Sequence, residues 1–424
     1  MLVDEMSMPA NKLLGLTFIF SSNLMISRIT IVCLACSEPI TTRVQVGHDI
    51  EQPVTFACPH CTSEIRFTLL LHNPPHVDVR WDENCEFGTK EGKIVNIGAG
   101  FTVSADMLHT DAYFPSFHAP RPQPKHYASV PAAKGPIFMD TAVAMGTLPR
   151  AGDHWRTVKQ ALKFHRTGQT ENLNRQLDKF WAKPRSNDED MDNTLFAFLT
   201  RFLEPSARDW LTPLTGVLSQ AAKKHPGEFS RFTNHYNKDL KSSRFEEYSE
   251  IFDEYFKGYS DFSQTLIYVK NSLELDSNAV ATSNDFDRTK MFYGNAFEVL
   301  GSHLDVPAAL NNIVNGRPYD QMEAMDLKKF RSINKANRTR CFSDNTQLSW
   351  LVDEYDSAIR NASHHRWFRL NERRTEITYR SGGTGAIRKM TYAEYLYRCN
   401  QLTIRLMSLC CMELLMLDSL GLSL

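Results

Sequence analysis

Two Cys-x-x-Cys pairs constrain this chain more than any other feature: Cys33-Leu34-Ala35-Cys36 and Cys58-Pro59-His60-Cys61, separated by the 21 residues from Ser37 to Ala57. Each CxxC turn aims two thiolates at one point. Two such turns complete the closed tetrahedral sulfur shell that Zn²⁺ prefers in structural sites, leaving no position open for water. A structural ion held by Cys33, Cys36, Cys58 and Cys61 is therefore expected, with His60 a bystander. Short β-forming runs surround the pairs, at Ile29 to Val32, Arg43 to Val46, Val54 to Ala57 and Ile65 to Leu71, with Asn, Gly and Pro between them. The expectation is a small β-rich module over residues 29–117 with few apolar residues for a core, so that the metal supplies much of its folding free energy.

This module resembles the zinc ribbons, a family of nucleic-acid binders and protein-docking modules, and so names no activity by itself. The other cysteines, Cys85, Cys341, Cys399, Cys410 and Cys411, bring the total to nine. An odd count suits a reducing, cytoplasmic compartment better than a disulfide framework. Cys410 and Cys411 read as buried helix residues. With 48 basic and 49 acidic side chains the chain is near neutral, so any nucleic-acid surface must come from local clustering. Two apolar stretches, 13–35 and 402–424, are interrupted by Arg28 and by Arg405, Glu413 and Asp418, and no membrane span is expected. Residues 1–28 read as an N-terminal extension, with Met25 an alternative start.

At 424 residues the chain is long for one core. The fold class expected is α+β and multidomain: the β-rich ribbon module, then a mainly helical region ending in a helical bundle with a β-hairpin. Pro120, Pro122, Pro124, Pro131 and Pro136 mark a linker over 118–137. Helical domains follow over 138–275 and 276–424. In the first, amphipathic helices are expected at 154–165, 170–181, 191–221 (interrupted at Pro205 and Pro213) and 243–257. No interpretable motif accompanies them. In the second, a helix over 285–304, opened by Ser283 and Asn284, should end before Pro307.

The C-terminal part carries the chemistry. A helix from Ser343 or Asp344 to about Ser363 is expected from the apolar spacing of Leu348, Leu351, Val352, Tyr355, Ala358, Ile359 and Ala362. It runs out in Arg360-Asn361-Ala362-Ser363-His364-His365. A hairpin turning at Asn371 to Arg374 and a helix opened by a Thr391/Glu394 capping box come next. From Arg360 to Lys389 there are seven Arg and one Lys against two Glu, a local charge of +6. Arg366, Arg369, Arg373 and Arg374, interleaved with Trp367, suit single-stranded RNA, since phosphates need cations and unstacked bases need aromatic faces.

The Arg-Asn-Ala-x-x-His run at a helix end, with hairpin and capped helix after it, resembles the HEPN domains, helical modules many of which are metal-independent ribonucleases. The resemblance covers about residues 276–420. It implies that Arg360, Asn361 and His365 form a catalytic group, that two copies meet in a homodimer, and that the chain is a toxin or defence effector with an antitoxin or other regulatory partner. An acidic partner on the preceding helix is also implied, for which Glu298 is the candidate. The chemistry agrees: a His of ordinary pKa about 6.5 can take the ribose 2′-OH proton, and a permanent Arg cation can stabilise the phosphoryl oxygens. His364, four residues after Arg360, is a second candidate histidine. Asp353 or Asp356 is a candidate to position the guanidinium. Against the nuclease stand a non-catalytic adaptor that binds RNA, nucleotide or protein through the same cleft, and an assembly protein using the apolar segment Leu402 to Leu415 as an interface.

Overall fold

The computed structural model describes residues 19–21, 24–72, 76–98, 100–111, 148–181, 190–342, 344–365, 367–381 and 385–424. The linker expected at 118–137 lies outside them, as does most of the N-terminal extension.

The ribbon module is built from two hairpins of one design. Strands β2 (Leu24–Cys33) and β3 (Pro39–Val46) are joined by the first CxxC turn, and β4 (Glu51–Ala57) and β5 (Glu64–Leu71) by the second. β1 (Ile19–Ser21) and β7 (Cys85–Phe87) pair with β2, and β8 (Lys93–Ile97) runs parallel to β3. β6 (Val77–Glu83) extends the second hairpin to three strands. Alternating Ile29, Ile31, Val44, Val54, Phe56, Ile65, Phe67, Leu69, Val95 and Ile97 close a core between the sheets. This core is larger than the early β-runs suggest, because β8 lies outside the cysteine region.

The helical body contains α1 (Ala151–Arg166), α2 (Thr170–Trp181), α3 (Met191–Leu203), α4 (Ala207–Lys224), α5 (Pro226–His235), α6 (Lys241–Lys257) and α7 (Tyr259–Lys270). Pro205 separates α3 from α4 as expected, but Pro213 lies inside α4, where packing of Leu214, Val217 and Leu218 outweighs the missing N–H. After β10 (Ala279–Val280) come α8 (Phe286–Thr289), α9 (Phe292–His303), α10 (Asp305–Val314) and α11 (Leu327–Ser332). α9 stops before Pro307, which sits in the first turn of α10 where its missing N–H costs nothing. Asp285, not Ser283 or Asn284, caps α8.

The helix expected from 343 or 344 to 363 is two pieces. A 3-10 turn (Ser349–Val352) is followed by α12 (Ser357–His364), and the Asp356 carboxylate between them accepts from the N–H groups of Ala358 and Ile359. Strands β11 (Arg369–Leu370), β12 (Glu376–Arg380) and β13 (Ile387–Thr391) form an antiparallel meander, one strand more than the expected hairpin. Helix α13 (Tyr392–Asp418) begins as expected, with the Thr391 hydroxyl accepting from Glu394 N–H at 3.0 Å.

α13 is the axis of the body. It packs on α3, α4, α6, α7 and α9, and one core collects side chains from Ala151 to Leu417. Leu402 to Leu414 are buried here, so the segment that the competing assembly reading would use as an interface is the centre of the fold. Its polar interruption Glu413 is fully buried and held by Arg244 (2.6 Å), Tyr236 (2.5 Å) and Tyr248 (2.8 Å), while Arg244 also reaches Asp305 at 2.7 Å. No helix among the described residues is long and apolar enough to cross a membrane.

The segment 279–285 straps the ribbon to the body. β10 pairs with β9 (Val103–Ser104), Thr55 N–H donates to Ser283 Oγ (3.1 Å), and Asn284 N–H donates to Thr55 O (3.0 Å). Ser283 and Asn284, expected as helix caps, are spent on this junction.

Candidate functional site

The two CxxC turns have the same local geometry. In each, the first cysteine's carbonyl accepts from the residue four positions on (Ser37, 2.8 Å; Thr62, 3.0 Å), and its N–H donates to the residue five positions on (Glu38, 3.1 Å; Ser63, 2.8 Å). Ser37 and Thr62 take left-handed φ values of 61° and 64° to close the turns. The result places Cys33 and Cys61 sulfurs 3.8 Å apart, Cys36 and Cys58 sulfurs 3.8 Å apart, and all four within 4.8 Å. Such distances exclude disulfides, which need about 2.05 Å. Hydrogen bonds from the Ser63 hydroxyl and backbone pull the Cys61 thiol down to about 6, whereas burial pushes Cys58 up to about 12. Four thiols so close cannot all ionise without a cation among them, and the donor set fits a metal ion. Asn84, which sequence reasoning missed, lies between the turns: its Nδ2 is 2.8 Å from Glu64 O and 3.7 Å from Cys33 Sγ, and its carbonyl accepts from Leu34 N–H.

The second candidate site is the end of α12. Glu298 of α9 faces Arg360 with Oε1 2.5 Å from both Nε and Nη2, while Arg360 Nη1 donates to Asn361 Oδ1 at 2.8 Å. The candidate positioning residues Asp353 and Asp356 do not make this contact; Asp356 is occupied as the cap of α12. Lys335, another residue without a sequence signal, pairs with the other oxygen of Glu298 at 2.8 Å. Burial alone would raise the Glu298 carboxyl, but Lys335 and Arg360 hold it below its ordinary value.

The two histidines are separated in role. His364, the last residue of α12, lies against α9 so closely that a Cβ on Gly294 would come within 2.3 Å of its ring. Its Nε2 is buried without a hydrogen-bond partner, and burial followed by the Arg360 charge lowers its pKa. His365 caps the helix with extended backbone and is exposed. Gly294, Glu298 and Gly301 share one face of α9, and the second glycine admits Tyr355, whose ring stacks on Phe297 at 3.6 Å. That spacing of two glycines around an acid is the signal by which the facing surface was readable.

The basic residues divide as well. Arg369 and Arg373 are exposed, and Trp367 is exposed with Arg380 over its ring. Arg374, expected to bind RNA, is instead turned inward. Its guanidinium pairs with Glu64 and donates to Asn284 Oδ1 (2.5 Å) and Asn284 O (3.1 Å), joining the meander to the second CxxC hairpin. Arg366 lies outside the described residues. Compared with known proteins, the chain matches no family model, no curated protein and no solved structure.

Proposed function

We propose that the chain is an RNA endonuclease whose working part is the end of α12, needing no metal in the reaction, and that the four-cysteine centre holds Zn²⁺ as a structural ion. The reading rests on one arrangement above all: a guanidinium oriented by Glu298 and Asn361 on the short helix α12, which the exposed His365 caps. The sequence resemblance to HEPN ribonucleases points the same way.

In this reading His365 takes the proton from the ribose 2′-OH, the 2′-oxygen attacks phosphorus, and the 5′-oxygen leaves with a proton from a second acid. The products are a 2′,3′-cyclic phosphate and a 5′-OH end. A guanidinium has five N–H donors, so Arg360 keeps donors for the phosphoryl oxygens beyond those spent on Glu298 and Asn361. Exposure of His365 lets a second copy bring its own His365 to the same phosphate, which makes a homodimer the working unit and supplies that acid. For the ribbon, zinc–sulfur bonds of about 2.3 Å in a tetrahedron give sulfur–sulfur edges of about 3.8 Å, the separation of the Cys33–Cys61 and Cys36–Cys58 pairs.

The test is cleavage of a labelled single-stranded RNA in EDTA, with bound zinc measured before and after, by the wild type and by His365→Ala and Arg360→Ala. Cyclic phosphate ends, lost in both variants while RNA affinity persists in His365→Ala, are the expected result. Binding without cleavage by the wild type would leave the non-catalytic adaptor.

A further inference from the structure

The C-terminal meander has two faces because side chains alternate along each strand. Leu370, Ile377, Tyr379 and Met390 turn inward against the core. On the other face, Arg369, Thr378 and Lys389 lie in one row across the three strands, and Arg380 is opposite Ile387 in the next. Trp367 precedes the first strand, and the Arg380 guanidinium lies 5.1 Å from the centre of its ring. Trp367 is 40% exposed and Ile387 57% exposed. The Lys389 ammonium is paired with Glu376, whereas Arg369 and Arg380 bring positive charge without a carboxylate among the described ion pairs.

We infer that Trp367 and Arg380 form a shelf that takes one unpaired base of a single-stranded RNA; the inference rests on the nuclease reading and deepens it by naming a base subsite. An indole with a planar cation over it offers two flat surfaces to a base, and every base has a face to stack on them. Arg369 supplies charge for the adjoining phosphate. Trp367 is two residues after His365, so their Cα atoms are no more than about 7 Å apart. A base on the shelf therefore belongs to a nucleotide next to the cleaved phosphate. A duplex keeps its bases stacked inside and cannot use the shelf.

The experiment measures fluorescence anisotropy of a labelled single-stranded RNA, and of the same strand in a duplex, with the full chain carrying His365→Ala to prevent turnover. Trp367→Ala and Trp367→Phe are then added to that background. Loss of the indole should weaken single-strand binding by about 5- to 150-fold, with most of it kept by Trp367→Phe and little change for the duplex. Equal affinity in Trp367→Ala, an equal loss for the duplex, or no single-strand binding at all would overturn the shelf. Wild-type cleavage assayed alongside separates the two readings: no cleavage with Trp367-dependent binding removes the nuclease and keeps the shelf. Cleavage with Trp367-independent binding does the reverse.

Discussion

The cysteine ribbon and the end of α12 are both small polar sites, yet they are assembled in opposite ways. In the ribbon, each pair of ligands is set by its own six-residue turn, and the two turns repeat one hydrogen-bond pattern. At the helix end, Glu298, Lys335 and Arg360 come from distant parts of the chain and meet because α9 presents Gly294, Glu298 and Gly301 on one face. Local turns define the first site; packing of a large core defines the second. Damage to the first should therefore stay local, and damage to the core should reach the second.

The largest expected effect is loss of the ion proposed for the ribbon. Structural Zn²⁺ is worth about 10–16 kcal/mol in small zinc peptides, more than any single side chain. Cys58→Ser should abolish stoichiometric zinc and open residues 29–117 to protease, while far-UV circular dichroism of the helices persists. A protease-resistant ribbon without zinc would show that the core from Ile29 to Ile97 suffices, and the contrast between the two regions would weaken. Next comes Arg244→Met, which leaves Glu413 buried without its cation and Asp305 with Arg331 alone. A cost of about 3–5 kcal/mol is expected in urea unfolding followed by helical signal, with zinc content unchanged.

This division also explains what was legible in the sequence. Both CxxC turns, the Thr391 cap and the turn before β12 depend on residues close in sequence, and each is where the spacing put it. The Arg360–Glu298 pair was visible only as a candidate, because the glycines around Glu298 mark a closely packed face but do not say which residue packs there. α7 gave no amphipathic signal, since nearly all of its residues are buried and there is no polar stripe to find. Arg374 was misjudged for a related reason: charge patterning cannot tell an arginine facing RNA from one facing Glu64.

Arg374 is also where the two regions touch. Arg374→Ala would take the guanidinium from Asn284 Oδ1 and leave Glu64 with Arg66 alone at the junction, and a cost of about 1–3 kcal/mol is expected. The sharper outcome is loss of coupling. Thermal unfolding of the ribbon and of the helices, followed by tryptophan fluorescence and circular dichroism, should separate in the variant more than in the wild type. Unchanged coincidence would mean that the β9–β10 pairing, the Thr55 bonds and the Gly98–Thr282 and Thr102–Tyr268 bonds carry the junction without Arg374.

The smallest expected effect concerns His364 and is best read as a dependence on pH. Burial, then the Arg360 charge, lowers its pKa, so the folded chain favours the neutral ring. The unfolded chain, with an ordinary His value of about 6.5, takes up the proton sooner. Stability from this ring is therefore fully present above about pH 6.5 and is lost as pH falls towards the folded value. Urea midpoints of the wild type and of His364→Gln, compared at about pH 7.5 and about pH 5.5, should show the wild type losing more on acidification. Glu298, Lys335 and Arg360 are common to both chains, so their titrations cancel in the difference. Zinc content must be followed in parallel, because thiolate ligands also take up protons on acidification and ribbon loss would mimic the effect. Parallel pH dependence in the two chains, with zinc retained, would mean that the ring against Gly294 is as open to solvent as His365. The helix end would then lack the packed, one-sided design that sets it apart from the ribbon.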